Sequence, residues 1–282
     1  MLCPEASCQT PILSHVERCH VCGADVGFPN VRAADAANER AALQQRLRDA
    51  ETAADARGSL TVLIEFGLAV MQSYAVLARS VGDIDAFVKS DRALYVSFHS
   101  QVRAGARVPE ENDWDKGRMA AESTIHPNYA DKINYTALSL NGIGVSWWGE
   151  YSIVLKAAHI ARRTSVFEEN PFLFCERHRV VAGKRPPLGF RASWPDRQDL
   201  AMAKLADKLT ATMGPDDFPA VLLDQGSSGA DADFVECHIF GPLHRSSIEK
   251  VIGPKPKKRA DLVIWRSVVS QLKKLGAVVE EI

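Results

Sequence analysis

Four cysteines within the first 22 residues constrain this chain more than any other feature. Cys3, Cys8, Cys19 and Cys22 follow the spacing C-x4-C-x10-C-x2-C, which folds two thiolate hairpins around one tetrahedral ion. The spacing predicts a structural zinc ribbon over residues 1–28. Gly23, directly after Cys22, lets backbone amides turn toward the thiolate. A module of this size buries no core of its own, so metal binding is expected to supply its folding energy. His15 and His20 are alternative ligands, each able to replace a cysteine. No signal peptide precedes Cys3, so reduced thiols rather than disulfides are expected. Four thiolate ligands leave no open position for a substrate, which makes this Zn2+ structural.

Composition adds bounds. With 282 residues, 46% hydrophobic content and a formal charge of -1, the chain can build one sizeable core plus appendages and offers no global electrostatic case for nucleic acid. The apolar stretch 60–70 is interrupted by Glu65 and is too short to span a bilayer. No membrane contact is expected, and the cytoplasm is the expected location. Cys175 and Cys237 read as isolated structural thiols.

Residues 31–57 are dense in Ala, Arg, Glu and Gln and contain no Gly or Pro. They predict one exposed helix, a spacer over 29–58 that holds the ribbon at a distance and offers an alanine-rich face for dimerisation. Its only large apolar residues are Val31, Leu43 and Leu47. Ser59 is placed to cap a second helix, in which Val62, Leu63, Phe66, Val70, Tyr74 and Leu77 recur at helical spacing. With a shorter helix at 83–89, the segment 59–90 reads as helical and packed on the main domain. From 91 to 282 the texture becomes α+β: strands are expected at 93–98, 145–155, 220–223 and 234–240, and helices at 156–163, 197–211, 247–252 and 260–275.

Several common catalytic engines are absent. There is no G-x-x-x-x-G-K-[ST] loop and no G-x-S-x-G elbow, and Gly142, Gly144 and Gly149 have the wrong spacing for a dinucleotide turn. Polar residues instead punctuate three segments: Tyr95-Val-Ser-Phe-His99-Ser100, Arg162-Arg163-Thr164-Ser165-Val-Phe-Glu168-Glu169-Asn170, and Phe234-Val-Glu236-Cys237-His238-Ile-Phe240-Gly241-Pro242. On a strand of period two, Glu236 and His238 share one face, opposite Val235, Cys237 and Ile239. A carboxylate in a core-flanking strand is costly unless something binds it.

Taken in order, these segments resemble the bacterial ADP-ribosyltransferase-like families. The late segment is similar to their E-x-[EQ]-h-x-G-P strand, and Trp148-Gly149-Glu-Tyr151-Ser-Ile-Val-Leu155 followed by Arg163-Thr164-Ser165 is similar to their central region. The resemblance covers about residues 91–255. It implies an ADP-ribosyltransferase-like β-core, NAD as substrate, and transfer to a macromolecular acceptor, protein or nucleic acid, by a toxin, defence effector or modifying enzyme. Carried onto this chain, Glu236 is the catalytic carboxylate that stabilises the cationic sugar. His99 and Ser100 hold the ribose and amide, Ser165 orients Glu236, and Tyr151 or Trp148 stacks on nicotinamide. His238 stands where related enzymes carry a second Glu or Gln, and Ser100 where histidine-type members show a glycine.

Two other readings remain open. One is a non-catalytic zinc-ribbon adaptor that binds nucleic acid or protein, to which the basic run Lys255-Pro-Lys-Lys-Arg259 would contribute phosphate contacts. The other is a metal-dependent hydrolase using Glu236, His238 and His244, for which the ligand set is incomplete.

Overall fold

The computed structural model describes residues 1–97, 113–229 and 231–282. Its strands are β1 (Tyr74–Arg79), β2 (Leu94–Tyr95), β3 (Ile133–Ser139), β4 (Tyr151–Leu155), β5 (Thr164–Phe167), β6 (Arg191–Ser193), β7 (Leu223–Asp224), β8 (Asp233–Phe234), β9 (Glu236–Phe240), β10 (Leu243–His244), β11 (Ile248–Gly253) and β12 (Val278–Glu281). The helices are α1 (Pro29–Ala34), α2 (Ala37–Ala56), α3 (Leu60–Val70), α4 (Val81–Val88), α5 (Asp113–Ile125), α6 (Ala157–Ile160), α7 (Pro171–Arg177), α8 (Arg197–Leu205), α9 (Phe218–Leu222) and α10 (Arg259–Lys274). The fold is mixed α+β, as the sequence texture implies.

Eight strands form one sheet in the order β12-β11-β4-β1-β3-β9-β5-β6. All its pairings are antiparallel except β11 with β12 at one edge. Alternation along each strand gives the sheet two different faces. Leu77, Tyr151, Ile153, Cys237 and Ile239 point into the main core, where Leu43, Phe66, Leu200 and Trp265 from α2, α3, α8 and α10 meet them. Full burial of side chains such as Leu63 and Phe66 contributes about 1.5–3 kcal/mol each. The other face carries Glu236, His238 and Phe240 of β9, Tyr135 of β3, and Ser165 and Phe167 of β5. Phe167 and Phe240 pack there against Ile125 at the end of α5 and against Phe28 and Tyr129.

Several expectations are corrected. Residues 31–57 are not a single exposed helix but α1 and α2, with a break at Asp35 and Ala36. Leu43, Leu47 and Ala54 of α2 are buried against the core, and Glu39 Oε1 accepts from the backbone of Gly189 and Phe190. The physical reason is the alanines: a narrow face of small residues lets α2 lie close to its neighbours. Gly189, at φ +87, fits so tightly that a Cβ there would lie 2.8 Å from the Ala42 backbone.

The segment 59–90 is not wholly helical, because Tyr74–Arg79 is a central strand of the sheet. Val70, Tyr74 and Leu77 match a helical period by coincidence, while Ala75 to Ala78 are buried on both faces, as a central strand requires. The main fold therefore begins well before residue 91. Residues 247–252, expected to be helical, lie largely in strand β11, sandwiched between β4 and β12. Residues 220–223 are mostly the end of α9, and 145–155 open with a helical turn at Ser146–Trp148 before β4.

The ribbon has its own small cluster of Cys3, Cys19 and Val26. It does not sit at a distance. Arg32 of α1 donates to the carbonyls of Val26, Gly27, Leu13 and Ser14, Phe28 packs on Phe240 at 5.6 Å between centroids, and Glu17 lies 3.7 Å from Lys132.

Candidate functional site

The four cysteine sulfurs lie within 4.8 Å of one another, and all four thiols are free. Cys3 and Cys22 sulfurs are 3.6 Å apart, and those of Cys8 and Cys19 are 3.7 Å apart. Disulfide sulfurs would stand at about 2.05 Å. A tetrahedral ion with metal–sulfur bonds of about 2.3 Å requires edges of about 3.8 Å, so the group fits a metal ion. Gly23 adopts φ +72 and donates its N–H to the Cys19 carbonyl at 2.9 Å, closing the turn that brings Cys22 back to Cys19. Hydrogen bonding with Thr10 pulls the Cys8 thiol down to about 6, whereas burial pushes the Cys3 thiol up to about 12, so a cation would have to displace the Cys3 proton. His15 and His20 are not in the cluster.

A second polar assembly lies on the buried second face of the sheet. Glu236 Oε2 is 3.1 Å from His238 Nε2, and His238 Nδ1 is 2.7 Å from His126 Nε2. His126 Nδ1 is 3.3 Å from the Tyr129 hydroxyl. The four side chains form one chain from strand β9, across the end of α5, to Tyr129. Glu236 is 2% exposed, His238 1%, His126 2% and Tyr129 3%. Strand pairing fixes the neighbours: Ser165 and Tyr135 stand opposite His238, and Phe167 and Ala137 opposite Glu236. Phe167 stacks on the His238 ring at 5.4 Å. Arg118 of α5 bonds Glu122 at 2.5 Å and lies over the Tyr135 ring. The Tyr135 hydroxyl is buried with no hydrogen-bond partner among the described residues.

Burial sets the charge state of this chain. Desolvation pushes the Glu236 carboxyl well above its usual range, with Arg118 opposing and Glu122 reinforcing the shift. Burial likewise holds His238 and His126 well below the ordinary imidazole value, helped by Arg191. A fully neutral arrangement satisfies every bond: Glu236 O–H donates to His238, His238 Nδ1–H to His126, and His126 Nδ1–H to Tyr129. Shifting each proton one step, with the tyrosine hydroxyl proton leaving, ionises Glu236 and reverses every donor. The chain can thus carry a proton between Glu236 and Tyr129 without placing a charge on either histidine at rest.

Of the residues singled out from sequence, Glu236, His238 and Ser165 are brought together. Ser165 does not orient Glu236, however: its hydroxyl accepts from Asn30 Nδ2 at 3.2 Å, and the same amide donates to the His238 carbonyl. Tyr151 is on the opposite face, packed on Trp265 with its hydroxyl bonded to the Pro254 carbonyl, because β4 turns that side chain into the main core. Trp148 packs edge-on against Phe234. His99 and Ser100 lie outside the described residues. Glu236 is enclosed by side chains rather than set on the floor of an open cleft, since α5 covers its face of the sheet. His244 bonds Ser246 and the Asp91 carbonyl, and among the described residues only the cysteines form a group able to hold a metal, so the hydrolase centre is not assembled. Glu168 pairs with Arg46, Glu169 with Arg177, and Asn170 caps α7, which makes that acidic segment a fastening for helices.

His126 and Tyr129 were not legible as site residues. Their one local signal is the His-Pro-Asn-Tyr turn that ends α5, and nothing in it points to a strand more than a hundred residues away. No protein-family model and no curated protein matches the sequence. Among the described residues, no helix is long and apolar enough to cross a membrane.

Proposed function

We propose that this chain is an ADP-ribosyltransferase-like enzyme that takes NAD as donor, carries a structural zinc ion on Cys3, Cys8, Cys19 and Cys22, and modifies a macromolecular acceptor. The observation that carries the reading is Glu236 hydrogen-bonded to His238 on the sheet face that also gathers Ser165 and Tyr135. Such a carboxyl is expensive to bury and has no packing role that leucine would not fill better.

In the proposed reaction the bond between nicotinamide nitrogen and ribose C1′ breaks, its electron pair leaves with neutral nicotinamide, and a nucleophile of the acceptor bonds C1′ and loses its proton. The sugar passes through a cationic state that a carboxylate at Glu236 stabilises once the side chains enclosing it have moved aside for the ribose. A buried neutral carboxyl must first ionise. The chain through His238 and His126 to Tyr129 gives its proton a path outward, and the positive nicotinamide ring favours the anion left behind.

Incubation with NAD labelled in its adenylate part, together with separate pools of nucleic acid and lysate protein, tests this. Transfer of label is expected, and Glu236→Gln should abolish it while NAD binding persists. Full activity in Glu236→Gln, or no transfer to any pool, would remove the enzymatic reading. The adaptor reading would then stand, supported by the exposed apolar residues Leu2, Leu13 and Val21 of the ribbon.

A further inference from the structure

A cavity of about 690 Å³ lies where the ribbon, α1, the end of α5 and the loop at 182–186 meet. Its volume is that of a site for a nucleotide-sized molecule. The lining has two chemical halves. Ile12 and Leu13 of the ribbon, Pro29 and Ala33 of α1, and Ile125 and Pro127 supply an apolar wall. Lys184, Arg185 and Arg191 bring positive charge, and no acidic side chain is among the described residues that line the cavity. Lys184 and Arg185 are exposed and make no ion pair among the described residues. Among the described residues Arg191 pairs with one acidic group, Glu39, 3.8 Å away, and its Nε is buried without a hydrogen-bond partner. A fourth cation, Arg32, is committed to ribbon carbonyls and adds charge without being free to move.

We propose that this cleft binds a nucleoside diphosphate, its phosphates on Lys184, Arg185 and Arg191 and its base against the apolar wall. An unbalanced cluster of cations in a concave, partly apolar site raises the local concentration of anions. Guanidinium groups pair with phosphate oxygens through two parallel bonds. The apolar half has no use for inorganic phosphate and suits a flat base. Because Ile12 and Leu13 belong to the ribbon, the site exists only while the ribbon is folded, which gives the metal a function in ligand binding. Tyr129, the end of the chain from Glu236, also lines this cavity, but ADP has no nicotinamide–ribose bond, so its binding is measured without any transfer and fails or succeeds independently of the reading of Glu236.

Calorimetry with ADP, adenosine and pyrophosphate on the full chain tests it. ADP is expected to bind more tightly than either fragment, and the double variant Lys184→Glu, Arg185→Glu should weaken ADP by about tenfold or more. Both side chains are exposed, so an unchanged melting temperature is expected to show that the variant is folded. Stripping the metal with a chelator should abolish binding, whereas attraction of ADP to a basic loop alone would survive it. Absence of ADP binding at millimolar concentration overturns the proposal. So does equal affinity for pyrophosphate, an unaffected double variant, or binding that persists after chelation.

Discussion

At the scale of the residue, the informative group is a carboxyl buried where a hydrophobic side chain would be cheaper. Its neighbours decide what it does to stability. The native Glu236 carboxyl titrates above its ordinary value of 4.5, so its contribution is complete below that pH and is lost as pH rises, because the unfolded chain ionises first. His126 and His238 titrate below 6.5 in the folded chain, so their contribution is complete above that value and is lost as pH falls through it. The two trends oppose each other and leave a stability maximum at mildly acidic to neutral pH. Glu236→Gln keeps the shape and removes only the first trend. Relative to wild type it should gain stability at pH 8 over pH 5, by about 1.4 kcal/mol for each pH unit of that interval over which the native carboxyl stays protonated. Denaturant melts of both proteins at the two pH values measure this. An identical difference at pH 5 and pH 8 would show that Glu236 is ionised in the folded protein.

At the scale of the element, α2 separates a spacer from a structural helix. Leu47 is 8% exposed and belongs to the main core, so Leu47→Ala should cost about 2–5 kcal/mol. An exposed spacer would lose only the small difference in helix propensity between leucine and alanine. Equilibrium unfolding in urea distinguishes the two outcomes. The same helix fastens the sheet edge electrostatically, through Glu39 to the backbone at Gly189 and Arg46 to Glu168. Ala42, Ala50 and Ala54 of this helix lie toward its own chain, whereas Ala37, Ala41, Ala53 and Ala56 are exposed.

At the scale of the whole molecule, the ribbon has a separate small core yet is clamped to the rest through Arg32, Phe28 and Glu17. A metal-held module with few apolar contacts of its own should melt first once the metal is gone. Chelation is expected to release one zinc ion per chain and produce an early transition confined to the ribbon. The main sheet should melt later and cooperatively. Calorimetry and metal analysis check this, and a single transition unchanged by chelation would mean that the cysteines are packed thiols.

Local chemistry was legible without coordinates. Cysteine spacing placed four sulfurs together because hairpin geometry is set within a few residues. Period-two alternation put Glu236 and His238 on one face because a strand has only two faces. The helix at 260–275 and the short one at 83–89 were likewise visible as local periodicity, since their cores are stripes of residues three and four apart. What needed the tertiary structure was every relation set by long-range packing. Tyr74–Arg79 became a central strand because β3 and β4 were there to pair with it, overriding a helical period that fits the same residues. Residues 247–252 became a strand for the same reason, paired by β4 and β12. Tyr151 was sent to the face opposite Glu236 by the register of β4. His126 joined His238 across 112 positions only because α5 ends over β9. Sequence by itself determined which residues carry chemistry and which way neighbours point, since those follow from bonded geometry. Only the packing of distant segments decided which of them meet, because that is settled by the burial of surfaces no local stretch contains.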